Sequence, residues 1–286
     1  MNAPARSPAP APRTPSLVEG EFVFTAEHFA QIRALLYEDS GISLPESKAT
    51  LVYSRLAKRL RRLGLTSFGE YCALVSGADG TEERRAMMSF LTTNVTRFFR
   101  EPHHFDHLRE HLPGWAAKGP VRLWSAGCST GQEPYSMALT VLACLPNAAE
   151  LDIRILATDI DPVVVGQAHA GLYPDDLVDA IPADMRRGAL KRDGSGWRME
   201  DRVRRLIAFK ELNLMQAWPM RGRFQAIFCR NVAIYFDLPT QERLWGRFAD
   251  ALTPDGRLYI GHSERASDPR FCSDGLTVYR LEGRAR

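Results

Sequence analysis

The chain has 286 residues, 45% hydrophobic and 25% charged, the composition of a soluble globular protein with material for one large domain or two ordinary ones. Collagen-like, disulfide-scaffold and wholly disordered readings are excluded. The formal net charge of +3 is too mild to mark a nucleic-acid binder by itself. Five scattered cysteines (Cys72, Cys128, Cys144, Cys229, Cys272) form no C-x-x-C pair, which suits a reducing compartment and argues against a zinc knuckle. No apolar run approaches the ~20 residues that span a bilayer. A cytoplasmic location without membrane insertion is expected.

Residues 1–20 read as a disordered tail, because Pro4, Pro8, Pro10, Pro12 and Pro15 stand among Ala and Ser with no apolar signal region. Residues 21–92 read as an all-helical domain. Thr25 is the predicted cap of a helix with the stripe Phe29, Ile32, Leu35 and Leu36, closed by Gly41. A second helix is predicted from near Pro45 to Gly64, with Val52, Leu56, Leu60 and Leu63 on one side. Ser67 and Thr81 are predicted caps of two further short helices. Residues 93–118 form a linker and a connecting helix.

From 119 to 286 the pattern changes. Val121–Ala126, Ile153–Thr158, Arg205–Leu212, Phe224–Cys229 and Arg257–Gly261 are short apolar runs, with helical patterns at Glu133–Leu145, Pro162–Ala170 and Thr240–Leu252. This alternation implies an α/β domain, a parallel sheet covered on both faces. Phe271–Leu281 can add an antiparallel edge strand. Between His169 and Ile207 lie about 35 residues where such connections usually take a handful, so 172–205 is read as an insertion. It contains a plausible hairpin around Asp193-Gly194-Ser195-Gly196, and over 186–205 it holds eight Lys/Arg against three acids.

Residues 121–136 run strand, glycine turn, helix start. Gly127 and Gly131 allow a sharp turn and close backbone approach to a ligand. Asp159 ends the second strand, where an acid can accept from two ribose hydroxyls. Turn plus acid point to a nucleoside-containing ligand. The spacing is neither the dinucleotide G-x-G-x-x-G nor a Walker motif.

Four blocks then carry a resemblance: Thr92-Thr93-Asn94-Val95-Thr96-Arg97-Phe98-Phe99-Arg100-Glu101, Ser-Thr-Gly-Gln-Glu-Pro-Tyr-Ser at 129–136, Phe-Cys-Arg-Asn-Val-Ala-Ile-Tyr-Phe-Asp at 228–237, and Gly-His-Ser-Glu at 261–264. In this order they resemble the CheR-type chemotaxis receptor methyltransferases, over about residues 22–281. The resemblance implies a doubly wound, Rossmann-like class I methyltransferase domain, an all-α N-terminal domain and a small inserted β-hairpin subdomain. It implies S-adenosylmethionine as methyl donor, S-adenosylhomocysteine as product, receptor glutamates as acceptors, and no metal. It further implies that Asn94, Thr96 and Arg100 contact the cofactor. Glu133 and Asp159 would hold its amino-acid and ribose ends, Asn213 and Leu214 would flank the adenine, and Arg230 and Asn231 would end the fourth strand. Arg100 and Tyr235 are implied at the reacting centre.

The chemistry agrees with the absence of a Ser-His-Asp or Cys-His constellation. A glutamate carboxylate, pKa ~4.3, is already a nucleophile at neutral pH. It needs in-line placement and exclusion of water, and an Arg or a Tyr hydroxyl can hold it. His103, His107 and His111 share one helix face at a spacing that could bind zinc. They are read as a solvated face opposite Phe105, Leu108 and Leu112, because no acid or cysteine cluster matches them. His262 and Ser263 are read as loop residues.

Residues 47–63 hold Lys48, Arg55, Lys58, Arg59, Arg61 and Arg62 with no acid. Arg55, Arg59 and Arg62 are expected to read an acidic receptor helix by long-range attraction. The hairpin is expected to dock a receptor's C-terminal tail where one exists. The protein is expected to be a monomer that binds no nucleic acid. A nucleic-acid methyltransferase would instead carry a motif such as Asn-Pro-Pro-Tyr where Arg-Asn-Val-Ala-Ile-Tyr stands, and Arg100, Asp159 and Tyr235 count against a non-catalytic cofactor sensor.

Overall fold

The structure, a computed structural model, describes residues 15–92, 94–145, 147–148 and 150–283. Two units result. One runs to Tyr37 and resumes over Leu44–Leu91; the other comprises Glu38–Ser43 and the chain from Thr92 onward.

In the first unit, Thr25 Oγ1 accepts the His28 N–H at 3.3 Å and starts α1 (Ala26–Ser40). Helix α2 (Ala49–Leu63) starts later than the periodicity predicts, because Pro45 is extended and Glu46–Lys48 forms a 3-10 turn. Gly64, at φ 69°, ends it in the left-handed conformation that glycine adopts without strain. Ser67 caps α3 (Phe68–Ser76) through the Glu70 N–H. Thr81 is the first residue of α4 (Thr81–Leu91) rather than its cap, since a 3-10 turn at Ala78–Gly80 leads directly into it. The helices bury Phe29, Ile32, Leu56, Leu60 and Val75 around Phe24 and Phe68, whose rings are tilted at 48° with centroids 4.4 Å apart.

The basic residues of α2 divide into two kinds. Arg59 forms a fork on the buried Glu83 carboxylate, with Nε at 2.9 Å and Nη2 at 2.5 Å, and Tyr71 Oη donates to the same group at 3.1 Å. Arg55 Nη1 donates to the Phe90 and Leu91 carbonyls, both at 3.0 Å, and so closes the C-terminus of α4. Both are half-buried, whereas Lys58 and Arg62 are exposed. The even cationic face expected of this helix is therefore narrower, because two of its charges serve the domain's own packing.

Of the expected tail, residues 1–14 lie outside the described residues. Residues 16–18 are not disordered: Val18 bridges Phe24, and Leu17 N donates to Phe24 O at 2.7 Å.

The second unit is a doubly wound Rossmann-like domain. Its elements are α5 (His103–Ala116), β1 (Val121–Ala126), α6 (Gln132–Cys144), β2 (Ile153–Asp159), α7 (Pro162–Ala170), β3 (Leu172–Tyr173), α8 (Asp175–Val178), α9 (Ala183–Arg186), β4 (Leu190–Asp193), β5 (Gly196–Met199), α10 (Asp201–Arg204), β6 (Ile207–Glu211), β7 (Phe224–Cys229), α11 (Leu238–Ala251), β8 (Leu252–Ile260), β9 (Phe271–Gly275) and β10 (Val278–Leu281). The main sheet has the order β6-β2-β1-β7-β8-β10-β9, parallel as far as β8. Alternate β1 side chains explain its two covers: Val121 and Leu123 pack with Phe105, Leu108 and Met137, while Trp124 and Ala126 pack with Leu244, Trp245 and Phe248.

The last segment departs from the single edge strand expected. It folds back at Gly275 (φ 143°) and Thr277 (φ 54°), so that β10 inserts between β8 and β9. The insertion forms its own antiparallel sheet, β3-β5-β4. Part of the Arg excess of 186–205 is partnered by acids earlier in the insertion, Arg186 with Asp179 at 3.0 Å and Arg192 with Asp175 at 3.0 Å. Among the described residues, no helix is long and apolar enough to cross a membrane.

Glu83→Ala should strand the Arg59 charge and the Tyr71 hydroxyl. A loss of about 2–4 kcal/mol in stability is expected from breaking one side of such a pair, read as a lower urea midpoint by circular dichroism.

Candidate active site

The glycine turn lies at the carboxyl end of β1, where the strand order reverses between β2 and β7. That is the position at which open α/β sheets bind ligands. Gly127 has φ 90°, and a Cβ there would lie 2.3 Å from Val232 Cγ2; at Gly131 (φ 96°) it would lie 2.8 Å from Ala168 Cβ. Both Gly127 N and Cys128 N donate to Thr158 O at 2.8 Å, which ties the turn to β2. Asp159 closes the same junction. Its buried carboxylate accepts from Ser129 N at 2.8 Å and Asp161 N at 3.1 Å. Burial raises its pKa, opposed by the Asp161 and Ser129 N–H groups. A carboxylate offers about four acceptor positions, so about two remain for a ligand.

A second buried group fixes the chain before α5. The Arg230 side chain is 2% exposed, and its guanidinium donates to Glu133 Oε2 at 3.1 Å, to Glu101 Oε2 at 3.0 Å and to the Arg100 carbonyl. Ser125 Oγ donates to the other oxygen of Glu133 at 2.7 Å. Burial raises the Glu133 pKa against the Arg230 charge. Glu101 goes the other way: burial would raise it, but Arg230 and the bonds from His262 hold it below the usual carboxylate range.

Around this link runs the segment 94–101. Asn94 accepts from Ser129 Oγ through its carbonyl at 3.1 Å and donates to Asp161 Oδ2 at 3.3 Å. Phe99 N donates to Ser136 Oγ at 2.9 Å. Phe99 (φ 50°) and Glu101 (φ 54°) are left-handed, a conformation these side chains adopt only when held. Arg100 is half-buried and donates to Val95 O at 3.1 Å, and Thr96 lies half-buried on the same stretch.

Asn231 follows Arg230 at φ 58°, with a buried Oδ1 that has no hydrogen-bond partner. Tyr235 ends a 3-10 turn, half-buried, its carbonyl accepting from Ser43 N at 2.8 Å. On the other side of the sheet's mouth, Asn213 accepts from Met215 N at 2.9 Å and donates to Asp39 O at 2.5 Å within the same unit, and Leu214 is buried. The Leu214 carbonyl accepts from Arg247, which stacks on Trp218 at 3.9 Å.

Glu133, Arg230 and the Arg100 carbonyl are thus joined by hydrogen bonds, and Asp159 is bonded to the glycine turn through Ser129 N, while Arg55, Arg59 and Arg62 belong to the other unit. Glu101, Ser125, Arg247 and Glu264 also shape the site and were not singled out by sequence reasoning. Glu101 and Glu264 end two of the quoted blocks, the one signal available for them. The histidines of α5 do not face solvent as expected. His107 Nδ1 meets Tyr259 Oη at 3.0 Å, and His107, His111 and Asp274 converge with Arg257, which donates to both Asp274 and His111. Strands from the end of the domain cover that face. His262 is a loop residue, bonded to Glu101 at 3.1 Å.

The residues fit an adenosine-type cofactor. A turn with no room for a side chain at Gly127 or Gly131, a buried acid with free acceptor positions and an orphaned Asn231 oxygen together suit a ligand rich in hydroxyl and amino donors. Sheet order and site together define a protein that binds a nucleoside-containing ligand at the switch point of an open α/β sheet.

Comparison with known proteins narrows this class. Residues 94–273 match the family described as "CheR methyltransferase, SAM binding domain", and residues 27–92 match "CheR methyltransferase, all-alpha domain". The chain is 52% identical to a probable chemotaxis protein methyltransferase of Rhizobium etli, over 86% of this chain and 96% of that one. It is 44% identical to chemotaxis protein methyltransferase 2 of Pseudomonas aeruginosa, over 93% and 98%. With the chemotaxis protein methyltransferase of Escherichia coli it shares 41% identity, over 89% and 90%. The chain belongs to the CheR methyltransferase family.

Asp159→Asn keeps the side chain's shape but sets an amide N–H against a backbone N–H donor. S-adenosylhomocysteine affinity, measured by titration calorimetry, should fall by about tenfold or more, equivalent to losing ~1.4 kcal/mol.

Proposed function

We propose that the protein methylates glutamate side chains of chemoreceptors, forming glutamate methyl esters and S-adenosylhomocysteine, in adaptation of chemotaxis or a related chemosensory pathway. One arrangement supports this reading above the others: Arg230 links Glu101, next to Arg100, to Glu133 at the start of α6. The Arg100 backbone is thereby fixed through its carbonyl to the group that anchors α6.

S-adenosylmethionine, when bound, supplies an electrophilic methyl group on a positively charged sulfonium. The glutamate acceptor is ionised at neutral pH, so no residue need act as a general base and no metal is required to generate the nucleophile. The protein's work is placement and exclusion of water. Asp159 accepts from ribose hydroxyls, Asn213 and Leu214 border the adenine, and Asn94, Thr96, Glu133 and Asn231 hold the amino-acid end. Arg100 takes the substrate carboxylate by paired hydrogen bonds, and the Tyr235 hydroxyl orients it.

Recognition of the receptor falls to charge. The exposed Lys58 and Arg62 on α2 attract the acidic methylation helix, while Arg55 and Arg59 keep α2 itself in place through the end of α4 and Glu83. In receptors that carry a C-terminal tail, the small sheet β3-β5-β4 is the docking element. The protein acts as a cytoplasmic monomer.

Incubation with methyl-labelled donor and a receptor signalling domain should give base-labile label released as methanol. Arg100→Ala should lower kcat/KM by about 100-fold and Tyr235→Phe by about tenfold, the range of lost charged and neutral hydrogen bonds. The pair Lys58→Glu and Arg62→Glu should weaken methylation most at low salt, as exposed charges are screened beyond ~8 Å at physiological ionic strength. Base-stable label, or label in RNA, contradicts the reading.

A further inference from the structure

The block Gly-His-Ser-Glu ends in a carboxylate with no assigned role. Glu264 lies just after β8, and its two oxygens accept four backbone N–H groups. Oε2 takes those of Asn231 at 2.9 Å and Gly261 at 2.6 Å; Oε1 takes those of Val232 at 3.0 Å and Ile234 at 3.2 Å. These donors come from the loops leaving the carboxyl ends of β7 and β8, the end of the sheet that holds the glycine turn.

Three observations show how closely the two loops depend on this group. Asn231 is held at φ 58° while its Oδ1 stays buried and unpartnered, an arrangement that costs energy until a ligand donor meets the oxygen. Gly261 leaves no room for a side chain, since a Cβ would lie 2.7 Å from Asn231 Nδ2 and 2.8 Å from Glu264 Oε2. The bonded stretch Asn231–Ile234 also leads directly into Tyr235, through the 3-10 turn Ala233–Tyr235. A carboxylate has about four acceptor positions and no donor, which matches four converging N–H groups as no amide can.

We infer that Glu264 is a positioning residue for methyl transfer, acting through the backbone to aim the Asn231 oxygen and the Tyr235 side chain at cofactor and substrate. The inference rests on the function proposed above. It concerns a residue that touches neither ligand itself.

The test uses the full chain as Glu264→Gln and Glu264→Asp. Three quantities are measured: S-adenosylhomocysteine affinity by calorimetry, kcat and KM with a receptor substrate, and the thermal midpoint without ligand. Glu264→Gln sets an amide N–H against backbone donors. It should lower the affinity by about tenfold or more and reduce kcat, while the midpoint moves by no more than about 5 °C. Glu264→Asp keeps the charge on a shorter arm and should restore part of both losses. Unchanged affinity and kcat in Glu264→Gln overturn the inference, as does a lowered midpoint with unchanged constants per folded molecule. If Glu264→Gln does not fold, Glu264→Asp decides: affinity about threefold weaker or more supports the inference, and wild-type affinity overturns it. A wild type that labels no receptor overturns the proposed function instead, and the calorimetry still judges Glu264.

Discussion

One guanidinium buried between two carboxylates organises the catalytic unit. Arg230 reaches Glu101, Glu133 and the Arg100 carbonyl with almost none of its side chain in water. A buried charge is tolerable only when its partners and geometry are complete, and removing one partner typically costs about 3–5 kcal/mol. These groups come from the end of β7, the first turn of α6 and the chain just before α5. Three separate stretches must therefore arrive together. The left-handed Phe99 and Glu101 and the tie from Phe99 N to Ser136 follow from that requirement.

The same region is charged in a way that suits its ligand. Asp159 and Glu133 are both held above their ordinary pKa range, chiefly by burial. Glu133 already has the Arg230 charge and the Ser125 hydroxyl, whereas Asp159 has only backbone N–H donors and stays costly until further donors reach it. Ribose hydroxyls are donors of that kind. Under the function proposed above, Asp159 serves the cofactor and Arg100 the anionic acceptor.

Much of this was legible in the sequence because it is local. Strands β1, β2 and β7 are buried on both faces and so read as apolar runs. The glycine turn follows from residues whose conformations leave no substitute, and Asp159 is found by its place at the end of a strand. What was not legible depends on distant partners. Arg55 and Arg59 look like free cations until α4 supplies Glu83 and its terminal carbonyls. The α5 histidines look solvated until β8 and β9 bring Tyr259, Arg257 and Asp274 against them. The order of β10 and β9 has no local signature, since either strand could have taken the inner place. Glu101 and Glu264 act on backbone groups of loops far along the chain, and no periodicity records that.

The central claim is that Arg230 holds residues 94–101 against the turn and α6 before any ligand arrives. The most direct measurement is amide hydrogen exchange in the ligand-free protein, comparing wild type with Arg230→Met at the Phe99 and Ser129 amides, which are bonded to Ser136 and Asp159. Protection at both should fall sharply in the variant while β2 and α11 stay protected. Unchanged protection at Phe99 would contradict the account, because the segment would then be held by something other than the buried ion pair.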